Sequence, residues 1–125
     1  MLTVYIVEDE PSVRRSLQRL LNSAGLSVHV FKGVEELVSA ELETRDACVI
    51  ADIDLGGSTA LGLPARLKES GRALPVIFIT AWDSPETRAS VRVAGGAGYF
   101  RKPVDDQALL DAIEWAISGA ERKLN

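Results

Sequence analysis

The sequence predicts a single doubly wound α/β domain, a (βα)5 chain with a five-stranded parallel sheet. Three observations predict it. Unbroken apolar runs, without the polar alternation of a half-exposed sheet, stand at Ala47-Cys48-Val49-Ile50-Ala51 and Val76-Ile77-Phe78-Ile79, as strands buried on both faces read. Each strand-like run is followed by a segment with apolar residues at helical spacing. Strand and helix therefore alternate five times, which puts helices on both faces of one parallel sheet. The central run ends on a carboxylate, Asp52, at the sheet edge where open α/β folds place their chemistry.

The first strand is Leu2 to Val7. Glu8-Asp9-Glu10-Pro11 opens a helix, with proline accepted in the first turn and acids favoured by the helix dipole. That helix runs to about Ala24 on a stripe of Val13, Leu17, Leu20, Leu21 and Ala24, and Gly25 stops it. Leu26 to Phe31 is a second strand, marked as an edge by His29 and Lys32; His29 is read as a surface residue. The helix after Gly33 carries Val34, Leu37, Val38 and Leu42. The central strand closes at Asp52, and Ile53-Asp54-Leu55-Gly56-Gly57-Ser58 reads as a loop. A third helix spans about Ala60 to Ser70, its start delayed toward Gly62 or Leu63 by Pro64.

Pro75 leads into the second buried strand, which hands over to Thr80-Ala81-Trp82-Asp83. Ser84-Pro85-Glu86 starts a fourth helix with a cap and a first-turn proline. Its stripe of Ala89, Val91, Val93 and Ala94 is broken by Arg88, Ser90 and Arg92, so it is expected to dock least firmly. Gly95-Gly96 end it. A short strand, Ala97 to Phe100, precedes Arg101-Lys102-Pro103. Asp105 caps a last helix to about Ile117, with Leu109, Leu110, Ile113, Ala116 and Ile117 inward. Residues 1–119 make the domain, and 120–125 read as a tail or the start of a linker.

Composition narrows the function. A chain of 125 residues makes one domain and buries roughly two thirds of its unfolded surface. The net charge of −4 argues against direct nucleic-acid binding, which wants a basic face. One cysteine excludes an internal disulfide, and Cys48, inside an apolar run, is a core residue rather than a reactive thiol. The apolar start lacks a basic leader and meets acids at once, so it reads as a strand and not a signal peptide. No run approaches a membrane span. The expected location is the cytoplasm.

Four strand ends carry polar groups: Glu8 and Asp9, Asp52, Thr80, and Lys102. Each has an ordinary explanation, as helix-start acids, a loop carboxylate, strand filler or a snorkelling lysine. In a parallel sheet, however, the four ends share one edge and the groups converge. Three carboxylates there repel one another unless a cation intervenes. Mg²⁺ suits the place, because it takes one or two carboxylates, keeps waters and accepts a phosphate oxygen. Lys102 is a mobile point charge for the same phosphate, Thr80 can hydrogen-bond it, and Asp52 is the free nucleophile that would form an acyl phosphate.

With Val7-Glu8-Asp9-Glu10, Asp52, Thr80-Ala81 and Tyr99-Phe100-Arg101-Lys102-Pro103 in this order and spacing, the sequence resembles a receiver domain of bacterial two-component response regulators, close to the type found in nitrogen-fixation regulators. The resemblance covers Leu2 to about Gly119. It implies a flavodoxin-like sheet of strand order 2-1-3-4-5, and Asp52 as phosphoacceptor from a sensor histidine kinase or histidine phosphotransfer protein. It implies Mg²⁺ on Asp9, Asp52 and the main-chain carbonyl of Asp54, with Glu8 acting through water, and a cis peptide before Pro103. It implies that Thr80 and Tyr99 switch together. Phosphorylation would then shift the face of the fourth helix, fifth strand and fifth helix, where Arg88, Arg92, Tyr99, Arg101 and Trp115 are candidates for a partner or homodimer surface.

The sequence departs from the family after Asp52. The family often has a Met-Pro or Leu-Pro pair and a glycine four residues later; here the positions read Leu55-Gly56 and Ala60. This loop is expected to differ in shape and flexibility. Asp54 and Trp82, an extra acid and a bulky ring beside the site, are placed to alter the lifetime of a phosphoryl group. Two other functions compete. Asp52-Ile53-Asp54 supplies the nucleophile and general acid of a haloacid-dehalogenase-like phosphatase, although that group usually sets the motif on its first strand. A receiver-like interaction module with lost or altered phosphorylation is the other. No glycine-rich loop follows the first strand to cradle a flavin or nucleotide.

Overall fold

All six residues of the strand ending at Asp52 are buried, and the sheet is assembled outward from them. The computed structural model describes residues 1–124, with side chains as far as residue 120. The elements are β1 (Thr3–Val7), α1 (Pro11–Ser23), β2 (Ser27–Phe31), α2 (Val34–Ser39), β3 (Ala47–Asp52), β4 (Asp54–Leu55), β5 (Ser58–Thr59), α3 (Leu63–Glu69), β6 (Val76–Thr80), α4 (Pro85–Ala94), β7 (Gly98–Arg101) and α5 (Asp106–Leu124). The five-stranded sheet is parallel throughout, in the order β2-β1-β3-β6-β7. With the two-residue strands β4 and β5 set apart, this is the flavodoxin-like order 2-1-3-4-5.

Successive residues of a strand point to opposite faces, and the core divides accordingly. Tyr5, Val7, Val49, Ala51, Val76 and Phe78 meet Leu37 of α2, Leu63 and Leu67 of α3 and Val91 of α4. Val4, Ile6, Cys48, Ile50, Ile77 and Ile79 meet Leu17 and Leu21 of α1 and Leu109, Ile113, Ala116 and Ile117 of α5. Full burial of each large aliphatic side chain is worth about 1.5–3 kcal/mol. Register then fixes the functional edge. Val7 lies opposite Ala51, Asp52 opposite Ile79, and Thr80 opposite Arg101, so the strands end together.

The helices are unequally held. Arg72 donates to the carbonyls of Val38 and Ala40 at 2.7 and 2.8 Å and so covers the end of α2. Arg66 adds an ion pair across to Glu35. By contrast α4 buries Val91 alone, while Val93, expected on the inner stripe, is 90% exposed. Ala24, also expected on a stripe, is the exposed residue that closes α1.

Two further expectations are corrected. The stretch after Asp52 is a hairpin and not a plain loop: Asp54 pairs with Thr59 and Leu55 with Ser58, antiparallel. A Gly-Gly pair between two short runs is a hairpin signal, because both turn positions need positive φ. The last helix passes its expected stop near Ile117 and continues to Leu124. One glycine costs a helix about 1 kcal/mol, and Gly119 is followed by Ala120-Glu121-Arg122-Lys123, all strong helix formers. Asn125, the end of the expected tail, lies outside the described residues.

Candidate functional site

The first residue beyond β1 is Glu8, whose N–H donates to the Phe31 carbonyl at 3.0 Å and whose carbonyl accepts from Arg14 Nη1 at 2.9 Å. This anchoring on both sides turns the Glu8 side chain into the sheet edge, where it is fully buried. Asp52 ends β3 beside it, and Asp9 stands at the rim, exposed. One oxygen from each of Glu8, Asp9 and Asp52 lies within 4.8 Å of the others, near enough to share one small cation.

Lys102 follows β7. Its N–H donates to the Thr80 carbonyl at 2.8 Å, which aims the side chain across β6. Nζ donates to Glu8 Oε1 at 2.6 Å and to Asp52 Oδ2 at 2.8 Å. Asp52 Oδ1 accepts from the Asp54 N–H at 3.1 Å. Thr80 is buried, and its Oγ1 accepts from the Trp82 N–H at 3.0 Å. The peptide between Lys102 and Pro103 is cis.

The electrostatics follow from the packing. Burial and the adjacent Asp52 carboxylate push the Glu8 carboxyl up to about 7, against the opposing pull of Lys102. For Lys102 burial works downward, but the Asp52 and Glu8 carboxylates outweigh it and hold the ammonium above its ordinary value. Glu8 Oε2 is buried and has no hydrogen-bond partner. A buried carboxylate oxygen left bare is costly, and a hydrated divalent cation satisfies it. The donor set, all hard oxygens, fits Mg²⁺.

The residues expected on the switch face are gathered elsewhere. Tyr99 is half-buried, and its hydroxyl donates to Asp83 Oδ1 at 2.8 Å. Arg88 grips the same carboxylate through Nε at 2.9 Å and Nη2 at 2.6 Å. Arg88, Arg92 and Tyr99 line a surface cavity of about 270 Å³ with Val91, Gly96 and Gly98. Arg101 is exposed, and Trp115 on α5 is 69% exposed. His29 is exposed and stacks on Tyr5 with ring centroids 5.6 Å apart. Sequence reasoning missed Asp83. Its spacing of five from Arg88 spans a helix cap and follows no helical pairing rule.

The response regulator receiver domain family matches residues 4–114. The chain belongs to that family. Among relatives, this receiver domain is 35% identical over 116 residues to the transcriptional regulatory protein TdiR of Thauera aromatica, covering 93% of this chain and 51% of that protein. It is 28% identical over 118 residues to the transcriptional regulatory protein FixJ of Bradyrhizobium diazoefficiens, covering 94% of this chain and 58% of that one. It therefore spans about half the length of the curated relatives it matches. The crystal structure of FixJ-N superposes with a TM-score of 0.84 at 26% identity, covering 94% of both chains. The subgroup that the sequence resembles is thus represented in both comparisons. Among the described residues no helix is long and apolar enough to cross a membrane.

Proposed function

We propose that this receiver domain is a phosphorylation-controlled switch in which Asp52 is the phosphoacceptor. A phosphohistidine of a sensor histidine kinase or a histidine phosphotransfer protein is the donor. A carboxylate oxygen of Asp52 attacks phosphorus, the P–N bond breaks, its electron pair returns to the imidazole, and an aspartyl phosphate remains. Asp9, Asp52 and the main-chain carbonyl of Asp54 would hold Mg²⁺, with Glu8 reaching it through water. When bound, the ion supplies charge neutralisation for the carboxylates and an anchor for a phosphate oxygen. Lys102 follows the new negative charge, and the Thr80 hydroxyl turns from the Trp82 carbonyl to donate to a phosphate oxygen. Catalysis of this kind is positioning and charge neutralisation. The domain assists only its own phosphotransfer and dephosphorylation, so it is not an enzyme acting on other substrates.

The observation that carries the reading is the meeting of Glu8, Asp9, Asp52 and Lys102 at one edge, with Glu8 Oε2 buried and bare. Phosphorylation adds about −1.5 to −2 charge and three acceptor oxygens. Tyr99 turns inward behind Thr80, and α4, in which Val91 is the one buried residue, shifts with it between two packings. The α4/β7/α5 face, with Arg88, Arg92, Arg101 and Trp115, is then the surface for an output partner or a second copy. The domain spans 1–119, binds no nucleic acid itself and works in the cytoplasm. Incubation with small phosphoesters and Mg²⁺ tests the reading against a phosphatase that uses Asp52 and Asp54: no sustained phosphate release is expected. Many turnovers per chain would favour the phosphatase. Failure to take up phosphate from acetyl phosphate would favour an interaction module.

A further inference from the structure

The residues after Asp52, where the chain leaves its family's pattern, fold into a hairpin whose tip leans on the acidic cluster. Gly56 and Gly57 fill the two turn positions with φ of +54° and +97°. They are not equivalent. A Cβ on Gly56 would lie 3.1 Å from Asp9 Oδ2, whereas one on Gly57 would meet nothing within 4 Å. The turn therefore rests against one of the three clustered carboxylates at a position that carries only hydrogen.

The hairpin register acts on the same place. The Ala60 N–H donates to the Ile53 carbonyl at 3.0 Å, and the next pair inward is Asp54 with Thr59. Antiparallel alternation makes that pair non-hydrogen-bonded, so the Asp54 N–H and carbonyl are not used by the ladder. The N–H goes to Asp52 Oδ1, and the carbonyl is left available to a cation.

We infer that Gly56 is a positioning residue for the divalent cation: the missing side chain lets Asp9 stay turned into the cluster with Glu8 and Asp52. The inference rests on the cation site proposed above. A methyl group at this position costs the fold little, because the atom it crowds is the end of an exposed side chain that gives by about a few tenths of an ångström. It costs the ion more, because the carboxylate that has to give way is one of the three in the cluster.

The test is Mg²⁺ titration of the whole chain by calorimetry, with thermal melting of the metal-free protein alongside. Gly57→Ala is the control, since it carries left-handed strain with no contact, and Asp9→Ala gives the loss expected when the carboxylate is removed. Gly56→Ala is expected to raise the Mg²⁺ Kd by about tenfold, the usual effect of losing a group that orients a ligand. Gly57→Ala is expected to leave it within error, and Gly56→Ala added to Asp9→Ala is expected to change nothing further. If Gly56→Ala melts far below Gly57→Ala, Gly56→Asn brings the same Cβ on a residue that tolerates left-handed backbone, and the same tenfold loss is expected. Equal Kd values for the Gly56 and Gly57 variants would overturn the positioning role and leave the cation site standing. A wild type that does not bind Mg²⁺, or an Asp9→Ala variant that binds it normally, would overturn the site as well.

Discussion

Lys102 Nζ lies 2.8 Å from Asp52 Oδ2, although the two residues are 50 positions apart and β6 runs between their strands. The same ammonium sits 2.6 Å from Glu8 Oε1. One cation thus bridges the nucleophile and the buried acid, and it must be displaced or shared when a second cation and a phosphate arrive.

Removing that ammonium exposes the cost of the bridge. Breaking a buried ion pair from one side costs about 3–5 kcal/mol when the remaining charge is trapped. Glu8 can take up a proton instead, so Lys102→Ala is expected to lose roughly 1–3 kcal/mol at neutral pH and less in mild acid. Urea melts at the two pH values check this. The variant is also expected to take up phosphate while the inward turn of Tyr99, followed by NMR of its ring, is lost.

Glu8 makes the metal-free protein pH-sensitive. Its folded carboxyl is raised from 4.5 to about 7. A raised acid contributes stability that is fully present below the unfolded value and is lost as pH rises through the folded one. Metal-free protein is therefore expected to weaken between pH 4.5 and about 7, and Glu8→Gln to flatten that part of the curve. Denaturant midpoints across the range measure it.

Asp83 titrates in the opposite sense. Hydrogen bonds from Arg88 and then Tyr99 pull its carboxyl from 3.8 to about 2. A depressed acid contributes stability that is present above its unfolded value and is lost as pH falls through the folded one. The side-chain carbonyl carbon of Asp83 followed by NMR should show a midpoint near 2, and Arg88→Ala should return it toward 3.8. The Tyr99 ring, released from Asp83 in Asp83→Ala, should gain motion without phosphate.

Cys48 is a reporter of unfolding. Burial pushes its thiol up to about 12, and thiol reagents react with the thiolate. A disulfide reagent at mildly alkaline pH should leave the native protein unlabelled and label it fully in urea. Rapid labelling of native protein would place Cys48 outside the core.

The sheet and the site were legible because both are written in short-range signals. The apolar runs at 47–51 and 76–79 need no partner to be read as strands, and a parallel sheet leaves the groups at strand ends little choice but to converge. What escaped the sequence depends on through-space contact. The Asp83–Arg88–Tyr99 group joins β7 to the entry of α4, and nothing in residue spacing announces it. The nearness of Gly56 to Asp9 needs the hairpin in place. Val93 was misread because a ten-residue helix with one buried side chain has no strong stripe to phase it.

The phosphoacceptor assignment is tested most directly by intact-mass spectrometry after acetyl phosphate and Mg²⁺, comparing the wild type with a folded Asp52→Asn variant. The account predicts one hydroxylamine-labile phosphoryl adduct on the wild type, mapped to Asp52, and none on the variant. An adduct of equal yield on Asp52→Asn, or one mapped to another residue, would contradict it.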